Sequence, residues 1–294
     1  MIAVRRFTTL AALLLVASCA PMPRSPATRA DEPEREAPPT SPLAAAPAPP
    51  HDEPPHPAPS ASAEASAPAI DAPPGTLVEL PVAGHAPAVV AMPREGRRPV
   101  LVATHGAGGT PEAHCAYWRA LVDDMAFVLC PRGVTMDVYA RPEARGWFYP
   151  AHPALEREVR DALAALKARF PERVDLDRAV YTGFSQGGVM GALAFSRAPA
   201  PFTALVLVEG GAEEWATYNA RSFVEGGGRR VILACGRRSC SDAAQRSAAI
   251  LKRAGVDVRV IDARGAGHTN EGRVKTGLVE ALPWLLEGDP RFSK

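Results

Sequence analysis

Arg178-Ala179-Val180-Tyr181-Thr182-Gly183-Phe184-Ser185-Gln186-Gly187-Gly188 is the stretch whose reading decides the fold. Residues 178–182 have the apolar and β-branched character of a buried strand, and residues 186–197 have helical composition. Ser185 therefore falls on the turn of a strand-turn-helix unit, the context that a G-x-S-x-G motif requires. Gly183 and Gly187 lack a Cβ, so strand and helix can pass closely while the hydroxyl is pushed outward. A helix N-terminus behind the serine favours negative charge developing there. A serine hydroxyl is a weak nucleophile unaided, so catalysis at Ser185 demands a base and oxyanion donors elsewhere in the chain.

Working outward, apolar runs at 76–80, 88–92, 99–104, 125–130, 203–208, 230–234 and 256–261 read as further strands, eight with 178–182. Helical patterns fall between them at 111–124, 153–170, 241–254 and 272–286. The clearest is 153–170, where Leu155, Val159, Ala162, Leu163, Leu166 and Phe170 share one face. Strands separated by helices of this length imply right-handed crossovers. The fold class is therefore α/β, one mostly parallel sheet of about eight strands flanked by helices.

Two further segments meet the demands of Ser185. Thr104-His105-Gly106-Ala107-Gly108-Gly109-Thr110-Pro111 leaves the third strand and enters a helix with Thr110 as N-cap and Pro111 at its first position. A backbone so free of side chains can bring amides to a reacting carbonyl, as can the amide of Gln186. It carries no G-x-x-x-x-G-K-[ST] pattern and no nearby lysine, so a phosphate loop is not the reading. His268 stands on a Gly-rich loop after the last strand, where it can act as general base. His105, earlier in the chain, reads as a loop-shaping residue. The acid that orients the imidazole is expected after the strand 230–234, where Asp242 is the only carboxylate on the loop.

The first 75 residues are of another kind. Of 31 prolines, 17 lie from Pro21 to Pro74, no glycine precedes Gly75, and no aromatic residue occurs between Phe7 and Tyr117. Such a stretch cannot bury enough apolar surface to offset chain entropy, so residues 20–75 read as a disordered Pro/Ala-rich linker. Residues 1–19 have two arginines, a short apolar run and small residues ending in Cys19, the pattern of an export signal. The apolar run is too short to span a bilayer. Its end, Val16-Ala17-Ser18-Cys19, resembles a bacterial lipobox, which implies lipidation of Cys19 and an outer-membrane location. Residues 76–294 form the folded domain. A formal net charge of +1 argues against a nucleic-acid partner.

HGAGG, the run Asp175-Leu-Asp-Arg-Ala-Val-Tyr-Thr-Gly-Phe-Ser-Gln-Gly-Gly188 and the terminal Gly-Ala-Gly-His268 together resemble the α/β-hydrolase superfamily. Within it they are similar to phospholipase/carboxylesterases and polyhydroxybutyrate-depolymerase or feruloyl-esterase-like serine esterases. The resemblance implies a cofactor-independent cleavage of small or oligomeric esters through an acyl-enzyme, and the roughly twenty residues between the strands 203–208 and 230–234 leave no room for a large lid domain. It gives Ala107 as the second oxyanion donor beside Gln186, and places Trp147 and Phe148 at the acyl pocket. Trp147 and Phe148 read equally well as anchors of a long loop. Some members carry the acid one strand earlier, which makes Glu209 the alternative to Asp242; in the usual G-x-x-D pattern Ser239 stands where the aspartate would be. Within the same fold, a thioesterase, a peptidase or a binding lipoprotein are the alternatives.

Apart from Cys19, four cysteines remain, an even set in a chain expected to be exported. Of the three pairings, Cys115 with Cys130 and Cys235 with Cys240 is preferred, and no histidine accompanies them at zinc-site spacing.

Overall fold

The computed structural model describes residues 72–136, 146–287 and 289. The chain divides into two units, Met1–Ser62 and Ala63–Lys294, and the described residues belong to the second. The export segment 1–19 with Cys19, and the linker up to Asp71, lie outside the described residues. At the linker's end, Ala72 packs against the core and the Gly75 amide donates to the Met92 carbonyl.

Among the described residues, ten strands and six helices follow in chain order. They are β1 (Leu77–Leu80), β2 (Ala88–Ala91), β3 (Arg98–Thr104), α1 (Pro111–Val122), β4 (Phe127–Cys130), β5 (Val134–Thr135) and β6 (Trp147–Phe148). Then come α2 (His152–Arg169), β7 (Val174–Phe184), α3 (Gln186–Phe195), β8 (Phe202–Val208), α4 (Thr217–Glu225), β9 (Arg230–Cys235), α5 (Arg238–Ala254), β10 (Asp257–Asp262) and α6 (Arg273–Leu285). Eight strands form one sheet in the order β1-β2-β4-β3-β7-β8-β9-β10; β5 and β6 pair separately. Within the eight-stranded sheet the pairs β1/β2 and β2/β4 are antiparallel and the other five are parallel, as the alternation of strands and helices predicts.

Side-chain alternation along each central strand feeds two cores, one on each face of the sheet. On β3, Val100 and Val102 enter one core while Leu101 and Ala103 enter the other. The first core is capped by side chains of α2, α3, α4 and α5, including Leu155, Ala192, Phe223 and Leu251. The second is capped by α1 and α6 through Trp118, Val274, Leu278 and Leu282. The predicted apolar face of α2 is buried in full, and Glu158 is buried with it.

Five elements depart from expectation. Strand β7 runs over eleven residues, with a register shift against β3 between Pro99 and Leu101. Helix α5 starts at Arg238 and not at 241. Helix α4 and the β5/β6 hairpin have no counterpart in the sequence reading. Each is short, and an element of a few residues carries too little periodicity to be read.

Candidate active site

The strand β7 delivers Ser185 to a sharp turn. Its φ of 51° and ψ of −115° are a costly conformation for a residue with a side chain, and the surrounding hydrogen bonds hold it there. The Ser185 amide donates to Val208 O at 2.8 Å, and Ser185 O accepts from Val189 N at 3.0 Å. Beneath the turn, Tyr181 Oη donates to Gly187 O at 2.7 Å and lies 2.6 Å from Thr104 Oγ1. A Cβ on Gly187 would meet Thr104 O at 2.5 Å, so strand and helix pass at the distance that only glycine permits.

The loop from His105 to Thr110 lies beside the serine. A Cβ on Gly106 would come within 3.1 Å of Ser185 Cβ. The buried ring of His105 holds the loop: Nδ1 lies 2.8 Å from Gly106 O, Nε2 lies 3.0 Å from Arg132 O, and the ring stacks on Tyr149. Burial holds this imidazole below its ordinary pKa. The hairpin strand β6 adds two backbone bonds, Gly108 N to Trp147 O and Trp147 N to Gly109 O, both 2.9 Å. Thr110 caps α1, its side chain accepting from Ala113 N, and Pro111 opens the helix, as expected. Ala107 is exposed at the crest. The Gln186 amide belongs to the first residue of α3 and so has no acceptor within the helix. The Gln186 side chain is anchored separately, accepting from Tyr149 N at 2.9 Å.

His268 joins the serine to a carboxylate. Its Nε2 lies 2.8 Å from Ser185 Oγ, and its Nδ1 lies 3.0 Å from Glu209 Oε2. The expectation of Asp242 as this carboxylate is corrected. Because α5 begins at Arg238, Asp242 lies within the helix and not on the loop; it is half-exposed and bonded to Arg264 at 3.1 Å. Glu209, the alternative, occupies the place directly after β8, with a φ of 54° and a side chain wholly shielded from solvent. Burial alone would raise its pKa. Hydrogen bonds from the Arg237 amide, His268, the Gly236 amide and the Arg237 side chain outweigh burial and hold the carboxyl below its ordinary value. Arg237 has no place in the sequence reading: an arginine after a strand carries no motif, and only the fold brings it to Glu209.

A cleft of about 460 Å³ opens along the loop, walled by Gly106, Ala107, Tyr117, Phe184, Asn270 and Glu271. Another cavity of about 470 Å³ lies at the start of the strands, by Arg178, Arg230 and Asp257, away from the serine. Trp147 and Phe148 are half-buried, and the Arg132 guanidinium lies 5.0 Å over the Trp147 ring. Both expected disulfides are present, Cys115–Cys130 and Cys235–Cys240, with Cα separations of 5.8 and 5.4 Å. Such bonds form and persist in oxidising compartments. Glu209, Cys235 and Cys240 converge as a metal site would, but the two sulfurs are spent in a disulfide. No helix among the described residues is long and apolar enough to cross a membrane.

No family model matches the chain, and no curated protein does. Solved structures do. A dienelactone hydrolase-like promiscuous phosphotriesterase from metagenomic libraries is 19% identical, with a TM-score of 0.51 over 71% of this chain and 93% of its own. Esterase PE8 is 19% identical with a TM-score of 0.51, over 71% of this chain and 100% of its own. A ferulic acid esterase is 16% identical with a TM-score of 0.50, over 68% and 91%. At these identities the likeness concerns architecture: the chain has the α/β-hydrolase fold.

Proposed function

We propose that this α/β-hydrolase fold is a serine esterase, cleaving carboxylic esters through an acyl-enzyme. The observation that carries the reading is the unbroken line of hydrogen bonds from Ser185 through His268 to Glu209. Ser185 Oγ attacks the ester carbonyl while His268 Nε2 takes its proton. The tetrahedral oxyanion is received by the amides of Ala107 and Gln186. His268 then returns the proton to the departing alcohol, and in the second half it activates a water that releases the acid. Glu209 holds the imidazole in the tautomer with a proton on Nδ1 and offsets the charge that forms on it. The cleft beside Ala107 receives the substrate, and Trp147, bonded through its backbone to Gly108 and Gly109, braces the loop that walls it. Esterases among the structures sharing the fold add weight to an ester over a peptide or thioester.

A fluorophosphonate probe should label the purified protein at Ser185, with hydrolysis of short p-nitrophenyl esters, and Ser185→Ala should abolish both. A folded protein that neither takes the label nor cleaves the esters would sink the reading. A panel of thioesters and peptides beside the esters decides the substrate class.

Delivery outside the cytoplasm through residues 1–19, with Cys19 as the lipid-bearing residue and 20–75 as a tether, belongs to the same proposal. Mass spectrometry of the mature N-terminus checks it: an acylated Cys19 supports the anchor, and an unmodified N-terminus after cleavage overturns it.

A further inference from the structure

We propose that Arg237 is a positioning residue of this site, its guanidinium fixing the Glu209 carboxylate in the one orientation that receives the His268 Nδ1 proton. The inference rests on the reading of Ser185, His268 and Glu209 as hydrolytic machinery.

A buried carboxylate can orient an imidazole only if its own rotation is stopped. Glu209 Oε1 accepts from the amides of Gly236 and Arg237, the second at 3.0 Å. Oε2 is shared between His268 Nδ1 at 3.0 Å and Arg237 Nε at 2.6 Å. Arg237 Nη2 also donates to the Glu209 backbone carbonyl at 3.3 Å. One arginine thus grips the side chain and the main chain of a residue held at positive φ. The planar guanidinium fork presents Nε and Nη2 in fixed relation, which a lysine cannot do. The donors sit on the turn between β9 and α5, which the Cys235–Cys240 disulfide ties across.

The placement of Arg237 makes no sense for the helix it precedes. It is the N-cap of α5, offers no side-chain cap, and is followed by Arg238, with no acidic residue in the first turn. Cations at a helix N-terminus oppose its macrodipole. A local rule broken in this way, beside a shielded carboxylate that needs a partner, marks the position as serving the site.

Loss of the arginine has a signed consequence. The charged or titratable groups about Glu209 are Arg237, His268 and, on the same cavity of about 120 Å³, Glu213 and Glu214. Without the Arg237 side chain, Glu209 loses one of the four hydrogen bonds that hold its carboxyl down against burial, so the carboxyl moves upward, and a protonated Glu209 offsets the charge on His268 less well. The acidic limb of activity must then move to higher pH.

The test uses the full-length protein and p-nitrophenyl butyrate, comparing wild type with Arg237→Met and Arg237→Lys. In Arg237→Met, kcat should fall about ten- to a hundredfold, the scale of one charge-assisted hydrogen bond, with KM within about threefold. Its acidic limb in kcat/KM should rise by about half a pH unit or more. Arg237→Lys should keep the wild-type limb yet lose several-fold in kcat. The low-field proton resonance of His268 Nδ1–H should weaken in Arg237→Met. A folded Arg237→Met with unchanged kcat and limb, or with a loss confined to KM, overturns the proposal. Should Arg237→Met not fold, a wild-type kcat in Arg237→Lys overturns it alone. The resonance needs no turnover: an inactive wild type in which it is present and sensitive to Arg237 refutes the esterase reading and leaves the positioning role standing.

Discussion

At the scale of single residues, the two candidate acids separate by what each carboxylate touches. Glu209→Gln keeps the shape but cannot offset the charge forming on His268, and it leaves the wrong groups facing Arg237 and two amides. We expect kcat on p-nitrophenyl butyrate to fall by about a hundredfold to ten-thousandfold, in the range of a lost triad acid. Asp242→Asn should stay within about twofold of wild type, since it removes half-exposed pairings with Arg264 and Arg238 that do not reach His268. Equal losses in the two variants would contradict the assignment. Ser185 and His268 were legible from sequence because their glycine-rich settings announce backbone geometry. The acid was only half legible. Glu209 lies at the end of an apolar strand that reads the same with or without a catalytic carboxylate, and Asp242 stood out only because the helix start was placed three residues late.

At the scale of elements, the disulfides have different jobs. Cys115–Cys130 joins α1 to β4 across 15 residues of chain and takes no part in the hydrogen bonds of Ser185, His268 and Glu209. Replacing both cysteines by alanine should lower unfolding free energy by about 3 kcal/mol, the loop-closure scale for that length, with kcat unchanged. Denaturant unfolding and kinetics on one sample check this pair of outcomes, and a fall in kcat would show that α1 also steers the Ala107 loop. Removing Cys235–Cys240 should act on kcat, because the loop it closes supplies the donors to Glu209. The helix α2 shows where sequence reading succeeds and where it stops. Its apolar face was plain from spacing, but Glu158 on the same face gave no sign of its role. In the fold its carboxylate accepts the amides of Arg132 and Gly133 at 2.9 and 2.8 Å, pinning the chain before the β5/β6 hairpin. Burial pushes its carboxyl up. A buried acid inside an amphipathic pattern reads as a mismatch until its partners are known.

At the scale of the whole molecule, pH acts through groups of opposite sign. His114 is buried on α1, and its Nε2 accepts from Trp118 Nε1–H at 3.2 Å, a bond that requires the neutral ring. Burial, with His105 nearby, holds its pKa down to about 3. As pH falls below the ordinary histidine value of 6.5, the unfolded chain takes a proton that the folded chain refuses, so stability is lost through the window from 6.5 toward about 3. Glu209, depressed in the fold, adds loss of the same sign at lower pH, as pH drops through its folded value. Glu158 works the other way: with its folded pKa raised, its contribution is greatest when protonated and declines as pH rises through that raised value. Between about pH 6 and 5 the His114 term alone should cost about 1.4 kcal/mol per unit of pH, and His105, also held down by burial, adds loss of the same sign. His114→Gln keeps an acceptor for the Trp118 N–H but cannot titrate. Its unfolding free energy, measured by denaturant at half-unit steps, should therefore fall less steeply than the wild type's by about 1.4 kcal/mol per unit of pH. Identical slopes in the two proteins would mean that His114 accepts its proton in the folded state, against the bond from Trp118.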